Sequence, residues 1–547
     1  VIDFMRQEDL FFYFDDDNVL QAVPSHEKPA DVTTESIHGF EELLGLTAVE
    51  LKTYMPPNAP PHADALLFNT GDSSAYGFPF VYANSRTGQI SFLQRMPVEG
   101  EAPPRPGESA KAEAVMHGTA SQIGGAVMQP VGTIGRLLGL LTYKAADTLT
   151  QKPVSILDDT PVPPVGNNPP MDTTLWEQTL DEMTHLPTSQ GSIHYLVDGE
   201  AFFARLIDSI QSARESIDIR LYIFDNDDYA VKIADLLRKR SKEVRVRVLI
   251  DGLGTIAASS ARSASAPETY QPPASIIDYL QKDSDIEVRV LLNPWLAGDH
   301  TKTIIIDEKI GFLGGMNIGR EYRYDWHDLM VELQGPVVDV LRDEFERGWL
   351  REGLFGDIRA NLYKPGAPKN RPQHDDIPIR VLLTMPSDSQ ILYTQLEAIR
   401  RAQKHIYIEN AYFTSDAMIY ELAKARRRGV DVRVIIPYQG DSDVINRSNI
   451  RAANTMLAHG IRIYIYPGTS HMKGAVYDGW LCLGSANFDS LSLRVNRELN
   501  IATSDAKAVQ QFMDEVITPD LEKSIELEQP FPENWSDFLM EMLADHL

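Results

Sequence analysis

The chain lacks the features that define several large protein classes. Its 547 residues include a single cysteine, Cys482, so an intramolecular disulfide is excluded. No uninterrupted apolar run reaches about 18 residues, so no transmembrane helix is predicted. No set of Cys and His residues has the spacing of metal ligands, and we expect neither a metal nor another cofactor. The apolar segment 480–484 around Cys482 indicates a buried strand with a core thiol.

Positive charge is also scarce. The chain has 51 Lys and Arg against 78 Asp and Glu, a formal net charge of −27. Nucleic-acid binders of this size are more often basic, because neutralised phosphates supply most of their affinity. The composition therefore disfavours nucleic acid as a partner, although a local basic patch could override the total. Residues 1–190 hold 10 Lys and Arg against 25 Asp and Glu, so the acidic excess is concentrated there.

An internal repeat organises the C-terminal part of the chain. Segment 216–224 matches 405–413, and segment 244–250 matches 430–436. An amphipathic helix pattern precedes the first segment of each copy, at 201–213 and at 391–402. Strands that alternate with helices of this length predict an α/β layered domain, here present twice.

Proline-rich and polar stretches indicate where the chain divides. We predict an accessory region (1–150), a Pro-rich linker (151–185), a first α/β domain (186–363), a linker (364–377), a second α/β domain (378–530) and a tail helix (531–547). Within the accessory region, residues 78–93 are predicted to form a β-hairpin. Residues 115–141 carry apolar side chains near helical spacing. A kinked helix packed on the catalytic core is the favoured interpretation, and an interfacial membrane element is the alternative.

One unusual motif, His-x-Lys-x₄-Asp, occurs twice. The two copies are His300-Thr-Lys302 with Asp307 and His471-Met-Lys473 with Asp478. About 0.04 chance matches are expected in a chain of this composition. Each copy leads into a Gly- or Ser-containing turn that ends in Asn. The repetition is therefore not an accident of composition.

The paired motifs suit chemistry on a phosphodiester, and we assign all six motif residues to the catalytic set. Phosphoryl transfer needs a nucleophile, a proton donor for the leaving oxygen and positive charge around the equatorial oxygens. One imidazole can be neutral and nucleophilic while another is protonated. His-x-Lys on a strand places both side chains on one face, because the side-chain period is two. Asp307 and Asp478 could anchor a loop or a lysine.

The turns after the motifs supply candidate phosphate ligands. Gly315 and Asn317 follow the first motif, and Ser485 and Asn487 follow the second. Tight turns of this kind let an amide and backbone N–H groups approach an anionic oxygen closely.

A carboxylate is available for each histidine. Asp328 lies 28 residues after His300, and Glu498 lies 27 residues after His471. Each carboxylate could accept a hydrogen bond from one imidazole nitrogen, which fixes the tautomer and raises the basicity of the other nitrogen. We therefore predict that Asp328 and Glu498 orient the histidines.

These residues resemble the duplicated motifs of the phospholipase D superfamily, over roughly residues 192–522. Segments 221–228, 311–322 and 484–498 are similar in particular to bacterial cardiolipin synthases. The resemblance implies two phospholipase D-like α/β sandwich domains related by a pseudo-twofold, with both motifs at their interface. Residues 1–190 do not resemble the paired transmembrane helices with which those synthases usually begin.

The resemblance also implies a two-step mechanism. One histidine attacks phosphorus to give a covalent phosphatidyl-histidine, and the other protonates the departing alcohol and then deprotonates the incoming water or alcohol. By this analogy His300 is the nucleophile and His471 the acid and base. The expected substrate is a glycerophospholipid at a membrane surface, and the acceptor is water, glycerol or a lipid hydroxyl.

Three functions are weighed on this basis. The first is phosphatidyl transfer, as in cardiolipin synthesis, or hydrolysis to phosphatidic acid. The second is a nucleic-acid phosphodiesterase, and the third is a non-catalytic lipid-binding scaffold, against which the intact motifs argue. Because the first residue is Val1, we expect that an upstream signal or anchor was removed and that the protein is peripheral to the membrane of a bacterial cell envelope. A cytoplasmic location and the oligomeric state stay open.

Overall fold

The structure is a computed structural model of the chain. It describes residues 154–531 apart from 261–262, 264, 268, 292–297, 353–355, 367–374, 386–387 and 441–442, together with six short strands between residues 10 and 93. The predicted element at 115–141, most of the linker at 364–377 and nearly all of the tail helix at 531–547 lie outside the described residues.

The six strands near the N-terminus belong to a separate unit, which contains residues 1–119. They are β1 (Leu10–Phe14), β2 (Leu20–Pro24), β3 (Ile37–His38), β4 (Ala65–Asn69), β5 (Phe80–Ala83) and β6 (Ile90–Leu93). They form two three-stranded sheets, of order β2-β1-β3 and β4-β5-β6. The antiparallel pairing of β5 with β6 confirms the hairpin predicted for residues 78–93.

Among its described residues, the first copy of the repeat has seven strands. Before it lie a 3₁₀ turn (Val154–Leu157) and α1 (Thr173–Met183). The strands are β7 (Ser189–Val197), β8 (Ser216–Leu221), β9 (Arg245–Asp251), β10 (Glu287–Leu291), β11 (Thr303–Ile306), β12 (Ile310–Gly314) and β13 (Leu329–Gln334). The helices are α2 (Asp198–Ser212), α3 (Asp228–Arg240), α4 (Gly252–Ser260), α5 (Ile276–Gln281), α6 (Arg320–Tyr324), α7 (Val337–Arg351) and α8 (Gly356–Asn361).

The second copy repeats this order with two additional short strands. Its strands are β14 (Ile377–Met385), β15 (Asp388–Ser389), β16 (His405–Asn410), β17 (Asp431–Pro437), β18 (Arg462–Tyr466), β19 (Lys473–Tyr477), β20 (Trp480–Gly484), β21 (Glu498–Thr503) and β22 (Ile525–Glu526). Its helices are α9 (Gln390–Arg401), α10 (Asp416–Arg427), α11 (Asp443–Ala458), α12 (Ser490–Arg494), α13 (Ala506–Phe512), a π-helical turn (Met513–Ile517) and α14 (Thr518–Lys523).

The two copies share one continuous sheet. Its strand order is β10-β9-β8-β11-β12-β13-β7-β14-β21-β20-β19-β16-β17-β18-β22, with β15 paired to β14. The order on one side of the β7–β14 pair is repeated in reverse on the other side. Since β7 and β14 are antiparallel, with Ile379 opposite Ser189, their pairing has a local twofold axis. This is the pseudo-twofold that the sequence predicted, and it makes the motif strands β11 and β19 counterparts.

Amphipathic helices cover the sheet. In α2, the apolar side chains at helical spacing are buried, and Asp198 and Glu200 lie in its first turn, where the helix dipole favours negative charge. Helix α3 begins at Asp227, whose carboxylate accepts the N–H groups of Tyr229 and Ala230. Each copy has its own apolar core, and a third core cluster contains residues of both copies.

The interpretation of residues 151–185 as a linker is wrong for its second half. Helix α1 begins there, with Asp172 as its N-cap, and buries Trp176 and Leu180 in the core of the second copy. The Trp176 ring meets Trp480 edge-on at 5.2 Å between centroids. The proline-rich composition ends at residue 170, so the predicted linker extends beyond the segment that has a linker composition. Cys482 is buried in β20, as predicted. Among the described residues, no helix is long and apolar enough to cross a membrane.

Candidate active site

His300 lies just before β11, at the carboxyl end of the parallel strands β8 and β9. Its Nδ1 lies 2.9 Å from Oε1 of Glu498, at the start of β21 in the other copy. The Ser485 hydroxyl donates to the same carboxylate, to Oε2, at 2.6 Å. The backbone N–H of His300 donates to the carbonyl of Arg497 at 2.9 Å. The Nδ1 and the backbone N–H of the first histidine are therefore both held by the second copy.

His471 is held by the first copy in the same way. Its Nδ1 lies 2.7 Å from Oδ2 of Asp328, the residue before β13. Its backbone N–H donates to the carbonyl of His327 at 2.7 Å. The sequence supplied one carboxylate for each histidine but did not predict this exchange between copies. Because each pair joins both copies, neither copy contains a complete half of the site.

Electrostatics make His300 neutral. Burial lowers the pKa of His300 well below its usual range, and the positive charges of Lys302, Lys473 and His471 lower it further. Burial also raises the pKa of Glu498 to about 8, against the opposing effect of Lys302. When Glu498 is ionised, the neutral imidazole donates from Nδ1 to its carboxylate and keeps the lone pair on Nε2, the form needed for nucleophilic attack.

The two motif lysines lie beside the histidines. Lys302 is fully buried, and its Nζ donates to the carbonyl of His300 at 2.7 Å. Lys473 does the same toward the carbonyl of His471 at 2.6 Å. Burial lowers the pKa of Lys302 to about 7. The site thus brings two ammonium groups to the place where an anionic phosphate would be stabilised.

The predicted phosphate ligands Gly315 and Ser485 lie against the two carboxylates. A Cβ on Gly315 would stand 2.2 Å from Oδ1 of Asp328, so only glycine fits there. The Ser485 hydroxyl donates a hydrogen bond to Glu498. Ser485 therefore supports Glu498 and Gly315 leaves room for Asp328, and binding of phosphate by either residue remains a prediction.

The two predicted asparagines differ in their surroundings. Asn317 accepts the N–H of Ile223 at 2.9 Å and donates to the Tyr322 hydroxyl at 2.9 Å, so its amide mainly braces the site. Asn487 is buried, and its Oδ1 has no hydrogen-bond partner within the described part of the chain. A phosphate role for these amides likewise remains a prediction.

The motif aspartates lie at the far ends of the motif strands from the histidines. The Asp307 carboxylate accepts the N–H groups of residues 214, 215 and 216, where the chain enters β8. The Asp478 carboxylate accepts those of residues 403, 404 and 405, where it enters β16, and that of Met171. Their inclusion in the catalytic set is corrected: a four- or five-residue strand separates them from the imidazoles, and they anchor a loop.

Aromatic rings that the motif analysis did not select surround both imidazoles. The Tyr222 ring meets that of His300 at 4.9 Å between centroids, and Trp326 lies 5.1 Å from His471. Tyr322 and Tyr412 lie 5.9 and 6.4 Å from His471. Tyr222 and Tyr412 lie just beyond the ends of β8 and β16. The repeat pairs them with Ala411 and Ile223, so it does not identify them.

Comparisons with known proteins agree with this geometry. Residues 206–349 and 396–517 match the family model described as cardiolipin synthase, PLD-like domain. The chain is 27% identical over 348 residues to cardiolipin synthase A of Pseudomonas fluorescens (strain SBW25), a match that covers 59% of this chain and 68% of that protein. It is 28% identical over 354 residues to the cardiolipin synthase of Listeria monocytogenes serotype 4a (strain HCC23), which covers 62% and 71%.

A solved structure shares the fold. Phosphatidylserine synthase from Haemophilus influenzae Rd KW20 superposes with a TM-score of 0.52 at 16% identity, over 68% of this chain and 96% of that one. The two copies are thus phospholipase D-like domains, and their motif residues lie in one candidate site. The chain belongs to the phospholipase D superfamily and is a phospholipase D-type enzyme with a clear likeness to bacterial cardiolipin synthases.

Proposed function

We propose that this enzyme transfers a phosphatidyl group from a glycerophospholipid to an alcohol through a phosphatidyl-histidine at His300. The observation that carries the proposal is the pair of imidazoles, each held at Nδ1 by a buried carboxylate of the opposite copy. The likeness to cardiolipin synthases supports a phospholipid as the substrate.

In the first step, Nε2 of neutral His300 attacks phosphorus and the P–O bond to the leaving alcohol breaks. His471 donates a proton to the departing oxygen, and Asp328 stabilises the imidazolium before this transfer. Lys302 and Lys473 balance the charge on the equatorial oxygens. In the second step, His471 takes the proton of the incoming alcohol, whose oxygen forms the new P–O bond as the P–N bond to His300 breaks.

The choice between transfer and hydrolysis depends on which acceptor reaches the intermediate. The aromatic rings of Tyr222, Tyr322, Trp326 and Tyr412 around the imidazoles form an apolar rim that disfavours water relative to a lipid or glycerol hydroxyl. We therefore propose transfer as the main reaction, with phosphatidic acid as a side product.

A leaving group that needs no proton tests the roles of the two histidines. With a short-chain phosphatidyl p-nitrophenol, His471→Asn is expected to release a burst of about one equivalent of nitrophenol and to accumulate the adduct on His300, seen by mass spectrometry at alkaline pH. His300→Asn is expected to give no burst. A burst in His300→Asn, with the adduct on His471, would exchange the roles.

The acceptor is tested with the unmodified enzyme and vesicles of phosphatidylglycerol, with and without glycerol. Transfer predicts a diphosphatidyl product, and hydrolysis alone predicts only phosphatidic acid. Release of nucleotides from DNA without any lipid turnover would contradict the proposal and favour a nuclease.

A further inference from the structure

A second cluster of buried charged side chains lies directly behind the pair of His471 and Asp328. It contains His327, Glu409 and Asp520, whose nitrogen and oxygen atoms lie within 4.8 Å of one another. Glu409 is 0% and Asp520 1% exposed. The three residues come from the first copy, the second copy and helix α14, so spacing in the sequence could not reveal them.

The His327 ring is fixed from two sides. Its Nδ1 lies 2.6 Å from the carboxylate of Asp198, and its Nε2 lies 2.9 Å from Oδ2 of Asp520. The Tyr466 ring stacks on it at 4.6 Å between centroids. A carboxylate on one imidazole nitrogen with the other nitrogen directed at ligand oxygens is the arrangement found for metal-bound histidines.

Asp520 is held through both of its carboxylate oxygens, whereas Glu409 is held through one. Ser470 donates to Oε1 of Glu409 at 2.7 Å, and Lys523 lies 3.3 Å from Oδ1 of Asp520. Oε2 of Glu409 is buried and accepts no N–H or O–H group of the described residues, and the carboxylate of Asp520 lies within hydrogen-bonding reach of Glu409. A buried carboxylate oxygen without a donor is strongly unfavourable, so this atom requires either a proton or a cation.

The first copy serves as an internal comparison. At the position on β8 that corresponds to Glu409 on β16, it has Arg220, which pairs with Asp299, the residue before His300, at 3.2 Å. The protein thus supplies its own cation there. In the second copy the equivalent positions are Glu409 and Ser470, and the only protein cations at the cluster in the described structure are His327 and Lys523.

We propose that His327, Glu409 and Asp520 bind one divalent transition-metal ion, such as Zn²⁺ or Mn²⁺, that joins the two copies behind His471. One imidazole and two carboxylates form a ligand set suited to such ions. Binding would displace the Nε2 proton of His327, after which the ion and Lys523 balance the charges of Asp198, Glu409 and Asp520. This inference goes beyond the proposed function and revises the expectation from sequence that no metal is bound.

The ion would act on structure rather than on substrate. The carbonyl of His327 accepts the backbone N–H of His471 at 2.7 Å, and the next residue, Asp328, holds the His471 ring. Fixing His327 therefore fixes both groups that position the proposed acid.

Metal analysis of the full chain, purified without a histidine tag or chelator, tests the proposal. Plasma mass spectrometry is expected to find about one equivalent of a divalent transition metal in the wild type and less than a tenth of that in Glu409→Gln and Asp520→Asn. Glu332→Gln is the matched control, because it removes a carboxylate that is 4% exposed and pairs with Arg205 outside the cluster. It is expected to keep the metal.

Thermal unfolding of the wild type provides a second test, independent of how the variants fold. Removal of metal with a chelator is expected to lower Tm by several degrees, and micromolar Zn²⁺ or Mn²⁺ is expected to restore it. A wild type that holds no metal, takes up none and keeps its Tm in chelator would overturn the proposal. Protons alone would then neutralise the cluster.

Discussion

At the scale of single residues, the site combines groups that folding alone would disfavour. Lys302 is a fully buried ammonium group, and His300 is a buried imidazole surrounded by positive charge. Such groups destabilise the native state and are retained where the chemistry of an anionic substrate needs them.

Lys302→Met is therefore expected to stabilise the protein while it abolishes transfer. Removing the buried charge should raise the free energy of unfolding by about 1 to 4 kcal/mol, and activity should fall by about 10² to 10³. The pKa of Lys302 is lowered to about 7, so the native state binds this proton less tightly than the unfolded chain. The gain should be full below pH 7 and shrink as the pH rises toward about 10. Denaturant unfolding at pH 6.5 and 9.5 measures this gain in the free energy of unfolding. Equal gains at both pH values would contradict the buried charge of Lys302 as its cause.

Binding of a phosphate mimic should follow the same titration. Sulfate keeps its double charge across neutral pH, and the site attracts it more strongly while Lys302 is protonated. Its affinity is expected to fall about tenfold from pH 6 to pH 8, with proton uptake on binding, because the bound anion raises the pKa of Lys302. Calorimetry in two buffers of different ionisation enthalpy measures both effects. In Lys302→Met the pH dependence should be absent.

At the scale of secondary-structure elements, the motif is a strand with a different task at each end. Lys302 and Lys473 lie at the catalytic ends of β11 and β19, and Asp307 and Asp478 follow the opposite ends. Both aspartates have positive φ angles, 52° and 51°. This backbone conformation makes the turn tight, so each carboxylate reaches the N–H groups at the start of the neighbouring strand. The spacing of the motif is thus the length of one short strand.

Asp307→Ala is expected to affect stability far more than chemistry. Loss of the acceptor leaves buried N–H groups unpaired and should lower the free energy of unfolding by about 2 to 4 kcal/mol. The folded protein should keep kcat within about tenfold of wild type, whereas His300→Asn should lose it. Chemical denaturation and steady-state kinetics on one preparation separate the two quantities. A loss of kcat as large as that of His300→Asn, at unchanged stability, would return Asp307 to the catalytic set.

Sequence predicted the elements well where a periodic pattern defined them. The strands around both motifs, the helices before β8 and β16 and the hairpin of β5 and β6 could all be predicted because each depends on local spacing. The pairing of His300 with Glu498 could not, because it depends on how two copies face each other. The cluster of His327, Glu409 and Asp520 could not be predicted for the same reason. Helix α1 was not predicted because the segment before it is proline-rich.

At the scale of the whole molecule, the net charge of −27 affects the electrostatic interaction of the enzyme with a charged membrane surface. An acidic protein is repelled by anionic vesicles, and salt screens that repulsion. Turnover of phosphatidylglycerol vesicles is therefore expected to rise about two- to fivefold between 20 and 200 mM NaCl. A basic nucleic-acid enzyme would show the opposite trend. Monomeric short-chain lipid, whose single charge is repelled less, is the control, and its turnover should change little.

The crossed pairs also bear on how such a chain could arise. A protein with a single copy would contribute its histidine to one pair and its carboxylate to the other, so it could act only as a homodimer whose halves were identical. Two such copies joined in one chain would be free to diverge from each other while the shared centre kept them together. Arg220 and Glu409 at equivalent strand positions show that the two halves differ next to the site, and an inactivating change in either half cannot be compensated by the other.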